Sequence, residues 1–262
     1  MSDIADAYWR APPIARNFAT AVLVTSIGCH FGLLPFSWFY FEPSQLLRIP
    51  PGIWRPMTSF FLSQPQLGII LDPYFLYQYL SQLEVGNPRF PRKEDVLWYL
   101  ICVGTFIMVL CHFFTGHIFF LPALILALAY TTHQDMRGQQ ATFFFFTVPA
   151  QLVPYCMLVV SLLMSPGLLP LQIAGLVAAH LYDFLARIYP EFGGGPNLLK
   201  TPAFLSRLVT TPRIVQRAYG TAIRPSSGQG RPLGSATGSS AGGSVLPESW
   251  RSRGTGHRLG GD

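Results

Sequence analysis

Serine, histidine and aspartate residues set inside apolar runs are the groups in this chain that could do chemistry. Hydrolysis by a serine nucleophile needs a hydroxyl, a base within hydrogen-bond reach and donors for the oxyanion. His180 lies in the middle of an apolar run with Asp183 one helical turn later, and Ser161 and Ser165 are the serines placed to approach it. Neither serine has the Gly-x-Ser-x-Gly or Gly-x-Ser-Gly setting that presents a nucleophile on a tight turn. His180 therefore reads as a hydrogen-bonded packing histidine, and Asp183 as a residue near a helix end that faces the bundle or water. His30 and His112 lie within other apolar runs, with His117 and His133 at run ends. No His/Asp/Glu set has ligand spacing, so no metal is expected. Cys29, Cys102, Cys111 and Cys156 all fall in apolar runs and read as small buried hydrophobes. No phosphate-binding loop is present and no cofactor is expected. The chain reads as a non-enzyme.

A second group of polar residues has a different use. Trp54-Arg55 opens an apolar segment directly after a polar, Pro-rich loop, Glu42 to Gly52. An indole favours the bilayer interface, and a guanidinium near lipid must snorkel or find acceptors. The pair reads as an anchor for a loop at the membrane surface. Gln64, Gln66 and Asp72 follow at mid-depth in the same segment, with Pro65 and Pro73 beside them. Such groups are costly in lipid unless they face a cavity or a thinned bilayer. We expect Gln64, Gln66, Asp72 and His180 to wet a cleft. Gly175 and Ala179 form a small-xxx-small pattern that lets helix backbones approach closely.

The elements that carry these residues are membrane spans. Of the 262 residues, 50% are hydrophobic and 11% are charged, against about a quarter charged in soluble domains. A helical span takes about 20 apolar residues. Six candidates are Asn17–Phe39, Pro56–Tyr79, Val96–Phe114, a short Ile118–Thr132, Thr142–Met164 and Leu168–Tyr189. The short fourth span suggests local hydrophobic mismatch. Arg10, Arg16, Arg89, Arg92, Lys93, Arg137 and the Arg-rich tail fall on one side, which makes that side cytosolic with both termini inside. The first span then acts as an uncleaved signal anchor, since no cleavable leader precedes it. The formal charge of +6 reflects this membrane orientation and not nucleic-acid binding.

The organisation is thus a cytosolic segment 1–16, a membrane domain 17–189, a juxtamembrane segment 190–224 and a Gly/Ser-rich tail 225–262. An amphipathic stretch, Leu198 to Val209, suits the membrane surface. The tail has too few apolar residues to offset its ordering entropy and is expected to be disordered.

The chain resembles the derlin family, rhomboid-like pseudoproteases of the endoplasmic reticulum. The resemblance rests on Met1-Ser2-Asp3-Ile4, Ile53-Trp54-Arg55-Pro56, Tyr74 to Tyr79 with Leu83-Glu84, and Asp135-Met136. It continues through Ala179-His180-Leu181-Tyr182, Tyr189-Pro190, Gly193-Gly194, Leu198, Leu199, Thr201-Pro202 and Phe204-Leu205. It covers residues 1 to 210. It implies an all-α, rhomboid-like bundle of six transmembrane helices with Trp54-Arg55 in the first lumenal loop. It also implies a Gly-xxx-Gly motif on the sixth helix, here Gly175 with Ala179 in place of the second glycine. Aligned on active rhomboids, the histidine position falls near Gln172 and the serine position near Leu121. Neither residue can support a catalytic dyad.

Gly254-Thr255-Gly256-His257-Arg258-Leu259-Gly260 resembles the SHP box with which some derlins recruit a AAA unfoldase of the valosin-containing-protein class. A second copy is Gly228 to Gly234, and Arg253 and Ser227 stand where the box usually carries an aromatic. Flexible glycines allow an extended segment to lie on a partner domain while Leu259 inserts and Arg258 pairs. The resemblance implies retrotranslocation in endoplasmic-reticulum-associated degradation. The implied partners are misfolded polypeptides, a membrane-embedded RING ubiquitin ligase complex, the unfoldase, another derlin and the lipid bilayer. The alternatives are an active rhomboid-type serine protease, a small-solute transporter, for which no internal repeat is seen, and a scaffold that only recruits the unfoldase.

Overall fold

A computed structural model describes residues 2–42, 52, 54–85, 87–134, 136, 138–143, 146–192 and 199–208. The chain divides into Met1–Arg213 and Ile214–Asp262, and the second unit lies outside the described residues. The tail motif (Gly254, Gly256, Arg258, Leu259 and Gly260) lies there, as does its second copy.

The helices are α1 (Ser2–Arg10), α2 (Pro13–His30), α3 (Arg55–Thr58), α4 (Gly68–Glu84), α5 (Lys93–Leu110), α6 (Leu121–Gln134), α7 (Val153–Met164), α8 (Leu169–Asp183), α9 (Tyr189–Phe192) and α10 (Ala203–Leu208). Wider π turns carry α5 on through Thr115 and α8 through Ile188. The continuous stretches Lys93–Thr115 and Pro166–Phe192 are 23 and 27 residues long and apolar enough to cross a membrane. Leu198 to Val209, expected to be amphipathic, contains the short α10.

Three spans differ from expectation: in the first, α2 ends at His30, and a turn and a short 3-10 helix (Phe36–Trp38) replace the helix expected to reach Phe39. The second does not run unbroken from Pro56. After α3 the chain is irregular until α4 begins at Gly68. Pro65 cannot donate to a helical ladder, and Gln66 adopts φ 61 in the left-handed region. A Cβ on Gly68 would stand 2.6 Å from Cβ of Gln64, so glycine lets the elbow close. The fifth span does not begin at Thr142. There β1 (Gln140–Phe143) pairs antiparallel with β2 (Phe146–Pro149), Thr142 opposite Thr147. This hairpin corrects the all-helical expectation. The aromatic and β-branched run from Thr142 to Val148 favours strands. Pro154 sits in the first turn of α7, where a missing N–H is harmless.

α6 occupies the middle of the bundle, every residue from Leu121 to His133 being buried. It packs chiefly against α8, α4 and α7, while α2 lies along α4. Thr131, Thr132 and His133 on α6 bond the backbone one turn back, whereas Gln134 Oε1 at its end is buried without a protein partner. The Tyr99 hydroxyl donates to the Ala127 carbonyl at 3.2 Å and shares a hydrogen bond with Thr131 at 2.7 Å. His133 Nδ1 bonds the Ala129 carbonyl at 2.8 Å.

Helix ends collect into two poles. At the charged pole, Glu84 at the end of α4 accepts the N–H groups of Ile14 and Ala15 at 3.0 and 3.1 Å. A carboxylate on those otherwise orphaned donors complements the α2 dipole. Arg89, ahead of α5, meets Asp183 at the end of α8 in the same pole. The opposite loop pole holds the end of α2, α3 and the starts of α4 and α6.

Candidate functional site

The loop pole is knitted by main-chain and side-chain bonds. Arg55 Nη1 donates to the Tyr40 carbonyl at 3.3 Å, and its guanidinium lies 4.8 Å from the Tyr40 ring centroid. One aromatic ring and one carbonyl thus engage a charge that cannot be shed. The Thr58 hydroxyl donates to the Trp38 carbonyl at 2.9 Å. Phe41 N–H donates to Ile118 at 3.0 Å, and Phe120 N–H to Ser59 at 3.1 Å. The segment entering α6 is thus hydrogen-bonded both to Phe41 and to Ser59 at the end of α3. Trp54 is 52% exposed, and Trp38, Phe113 and Phe114 are exposed at the same pole, as interfacial aromatics are.

Behind this lip, residues 59–67 form an elbow between α3 and α4. Irregular backbone at membrane depth must find partners in protein or water. α2 supplies them: the Thr25 hydroxyl donates to the Phe61 carbonyl at 2.7 Å, and Ser63 N–H donates to Ser26 Oγ at 2.9 Å. Asp72 Oδ2 accepts the Gln64 N–H at 2.9 Å, so its carboxylate pins the far side of the elbow. A cavity of about 530 Å³ opens on it, lined by His30, Ser63, Gln64 and Gln66 among apolar neighbours. His30 Nε2 and Ser63 Oγ are buried there with no protein partner. Such unpartnered polar atoms at the wall of a roomy cavity are where water or a polar chain is held.

The predicted cleft residues do not all meet. Gln64 and Gln66 share the cavity, Asp72 supports it through the Gln64 backbone, and His180 lies elsewhere. His180 is an exposed residue in the last turn of α8, where Nδ1 shares a 2.9 Å hydrogen bond with the Tyr130 hydroxyl. Ser161 and Ser165 fall at the far end of α7, next to the start of α8, so His180 is separated from them by the length of α8. Leu121 is fully buried, and Gln172 Oε1 is buried without a partner.

Gly175 lies against the backbone of Ala123 on α6, so closely that an added Cβ would overlap the Ala123 carbonyl. Ala179, 1% exposed, continues the seam one turn on. Past its end, Asp183 accepts from Arg89 Nη2 at 2.8 Å and from Gln134 Nε2 at 3.3 Å, with Arg187 Nε at 3.8 Å. The Asp183 and Arg89 side chains are 6% and 17% exposed.

Thr25 and Ser26 were not singled out from the sequence. The only trace they leave there is a pair of adjacent hydroxyls in an otherwise apolar run. Nor does spacing reveal the pairing of Arg89 with Asp183, 94 residues apart.

The sequence model of the Der1-like family matches residues 11–203. Derlin-1 of Homo sapiens is 32% identical over 220 residues, covering 81% of this chain and 85% of that protein. Derlin-1 of Drosophila melanogaster is 28% identical over 207 residues, covering 77% and 82%. Derlin-2.1 of Zea mays is 26% identical over 220 residues, covering 79% and 87%. The matched span contains the lip, the elbow and the seam together, and the chain belongs to the Der1-like family of membrane proteins.

Proposed function

We propose that this chain is a non-catalytic retrotranslocation factor of endoplasmic-reticulum-associated degradation. In this reading it crosses the endoplasmic reticulum membrane six times with both termini in the cytosol. The loop pole faces the lumen and the charged pole the cytosol. Misfolded polypeptide enters at the elbow cavity, whose polar wall lowers the cost of burying peptide groups. Trp54 and Arg55 hold the lip, Gly175 and Ala179 hold the seam, and Asp72 holds the elbow. The Gly254 to Gly260 motif hands the emerging chain to a AAA unfoldase, which supplies the work. A RING ubiquitin ligase complex and a second derlin complete the assembly.

The observation that carries the reading is the broken second span, with Gln64 and Gln66 on a cavity beside unpartnered His30 and Ser63. Local thinning of the bilayer is supported by α7 and not by α6. Because α6 is enclosed by protein, its shortness meets no lipid. The apolar stretch Ala150–Met164 is only about 22 Å long at 1.5 Å per residue, and Val159, Leu162, Leu163 and Met164 on it are exposed. That length falls short of a hydrocarbon core about 30 Å thick.

The test is a pulse-chase of a misfolded lumenal reporter in cells whose own derlins are removed. Gln64→Leu with Gln66→Leu should slow its loss, while deletion of Ser252 to Asp262 should abolish unfoldase pull-down. Reporter loss at the unmodified rate in the double variant would sink the cavity role. The protease alternative predicts labelling by an active-site serine probe, and we expect none.

A further inference from the structure

The charged pole holds a second cavity, of about 460 Å³, between the start of α5, the end of α8 and the segment 199–201. Its charged lining is Arg89, Arg92, Arg187 and Lys200 against Asp95 and Asp183, four cations to two carboxylates. Both carboxylates are already engaged. Asp183 is held by Arg89 and Gln134, and Asp95 Oδ1 accepts the Thr201 hydroxyl at 2.7 Å. The excess positive charge therefore faces the cavity and is carried by Arg92 and Lys200, both exposed.

Their positions are set by the fold. Trp98 Nε1 donates to the Leu199 carbonyl at 3.0 Å, and Thr201 is tied to Asp95. Lys200 thus sits between two tethered residues on the cavity wall. Arg92 immediately precedes α5, whose first turn carries Glu94 and Asp95. The Arg187 guanidinium, 39% exposed, projects from the π turn that follows α8.

We propose that this cavity binds a phosphate group, and that in the membrane the phosphate belongs to the headgroup of an anionic phospholipid. Its volume lies in the range of ligand pockets, about 300–1,000 Å³. Basic pockets between membrane helices on the cytosolic side hold such headgroups. A phosphate there bridges Arg92 and Lys200, while Arg89, paired with Asp183, forms the positive wall behind it. Binding would join α5, α8 and the 199–201 segment at one point. The lipid source rests on the cytosolic placement proposed above, whereas phosphate binding itself does not.

The experiment uses the full chain in nanodiscs of phosphatidylcholine, with and without phosphatidylinositol 4-phosphate, and in phosphatidylcholine discs with added inorganic phosphate. Melting temperature is read from tryptophan fluorescence and retained lipid by native mass spectrometry. We expect the phosphoinositide to raise the melting temperature and to be retained, and inorganic phosphate to have a smaller effect. Arg92→Ala with Lys200→Ala should weaken phosphoinositide binding about 30-fold, at about fivefold per cation. Lys200→Ala alone, at an exposed site, should weaken it about fivefold. Equal effects of inorganic phosphate and lipid would keep the phosphate site and overturn the lipid assignment. No effect of either, or an effect that both variants retain, would overturn the site. Neither readout depends on substrate degradation, so failure here is separable from failure of the retrotranslocation reading.

Discussion

The seam between α6 and α8 and the elbow between α3 and α4 lie in the same apolar bundle and solve opposite problems. The seam is dry, with Gly175 on the Ala123 backbone and small residues giving close approach. At Gly175 its strength comes from dispersion between closely approaching backbones. The elbow has irregular backbone whose donors and acceptors are met by Thr25, Ser26 and Asp72, with a cavity on its open side. One region excludes volume and the other accommodates polarity. A bundle that admits a polar chain needs both, because a wet elbow without a rigid seam has nothing to hold its shape.

The contrast can be broken most forcefully at Gly175. Gly175→Leu must push α8 away from Ala123 and should destabilise the protein by about 3 kcal/mol, read as a lower midpoint in detergent-dependent unfolding. A midpoint equal to that of the unmodified protein would mean the helices are not in backbone contact. Next is the ionic latch past the seam. Asp183→Ala takes the carboxylate from the partly buried Arg89, at about 2 kcal/mol. Adding Arg89→Met should recover part of that loss, a non-additivity that a double-mutant cycle would measure.

The elbow should respond more weakly. Ser26→Ala removes the acceptor of the Ser63 N–H, and the loss should be about 1–2 kcal/mol. Hydrogen exchange at Ser63 should accelerate, and unchanged protection would show that water already serves that donor. The smallest effect belongs to Gln66. Gln66→Gly relieves a left-handed residue but frees the unfolded chain, so stability should change by no more than about 0.5 kcal/mol. Gln66→Val, branched at a left-handed position, should lower the melting midpoint clearly.

Much of the arrangement is legible in the residues. Pro65 and the flanking glutamines announce a defect in the second span, because neither a missing donor nor a mid-depth amide is tolerated in a plain lipid-facing helix. Gly175 with Ala179 announces a close helix contact. The hairpin at Gln140–Pro149 is not legible in the residues, since an aromatic apolar run suits a buried helix and a strand equally well. His180 lies apart from Gln64: polarity in an apolar helix says that a partner exists, not which one. The partner is Tyr130.

The same limit divides the whole molecule. Composition and polar residues act within one segment, and so the apolar class of the chain and the cost of Gln64 and Gln66 at mid-depth show along it, while the break into an elbow does not. Which helix is enclosed depends on contacts between segments far apart in the chain. Only packing placed α6 at the centre, so that its shortness meets no lipid and α7 is the short helix exposed at the surface. Only packing brought Arg89 to Asp183 and Lys200 beside Arg92. Charge pairs and cavities are properties of neighbours in space, and periodicity along a chain carries no record of them.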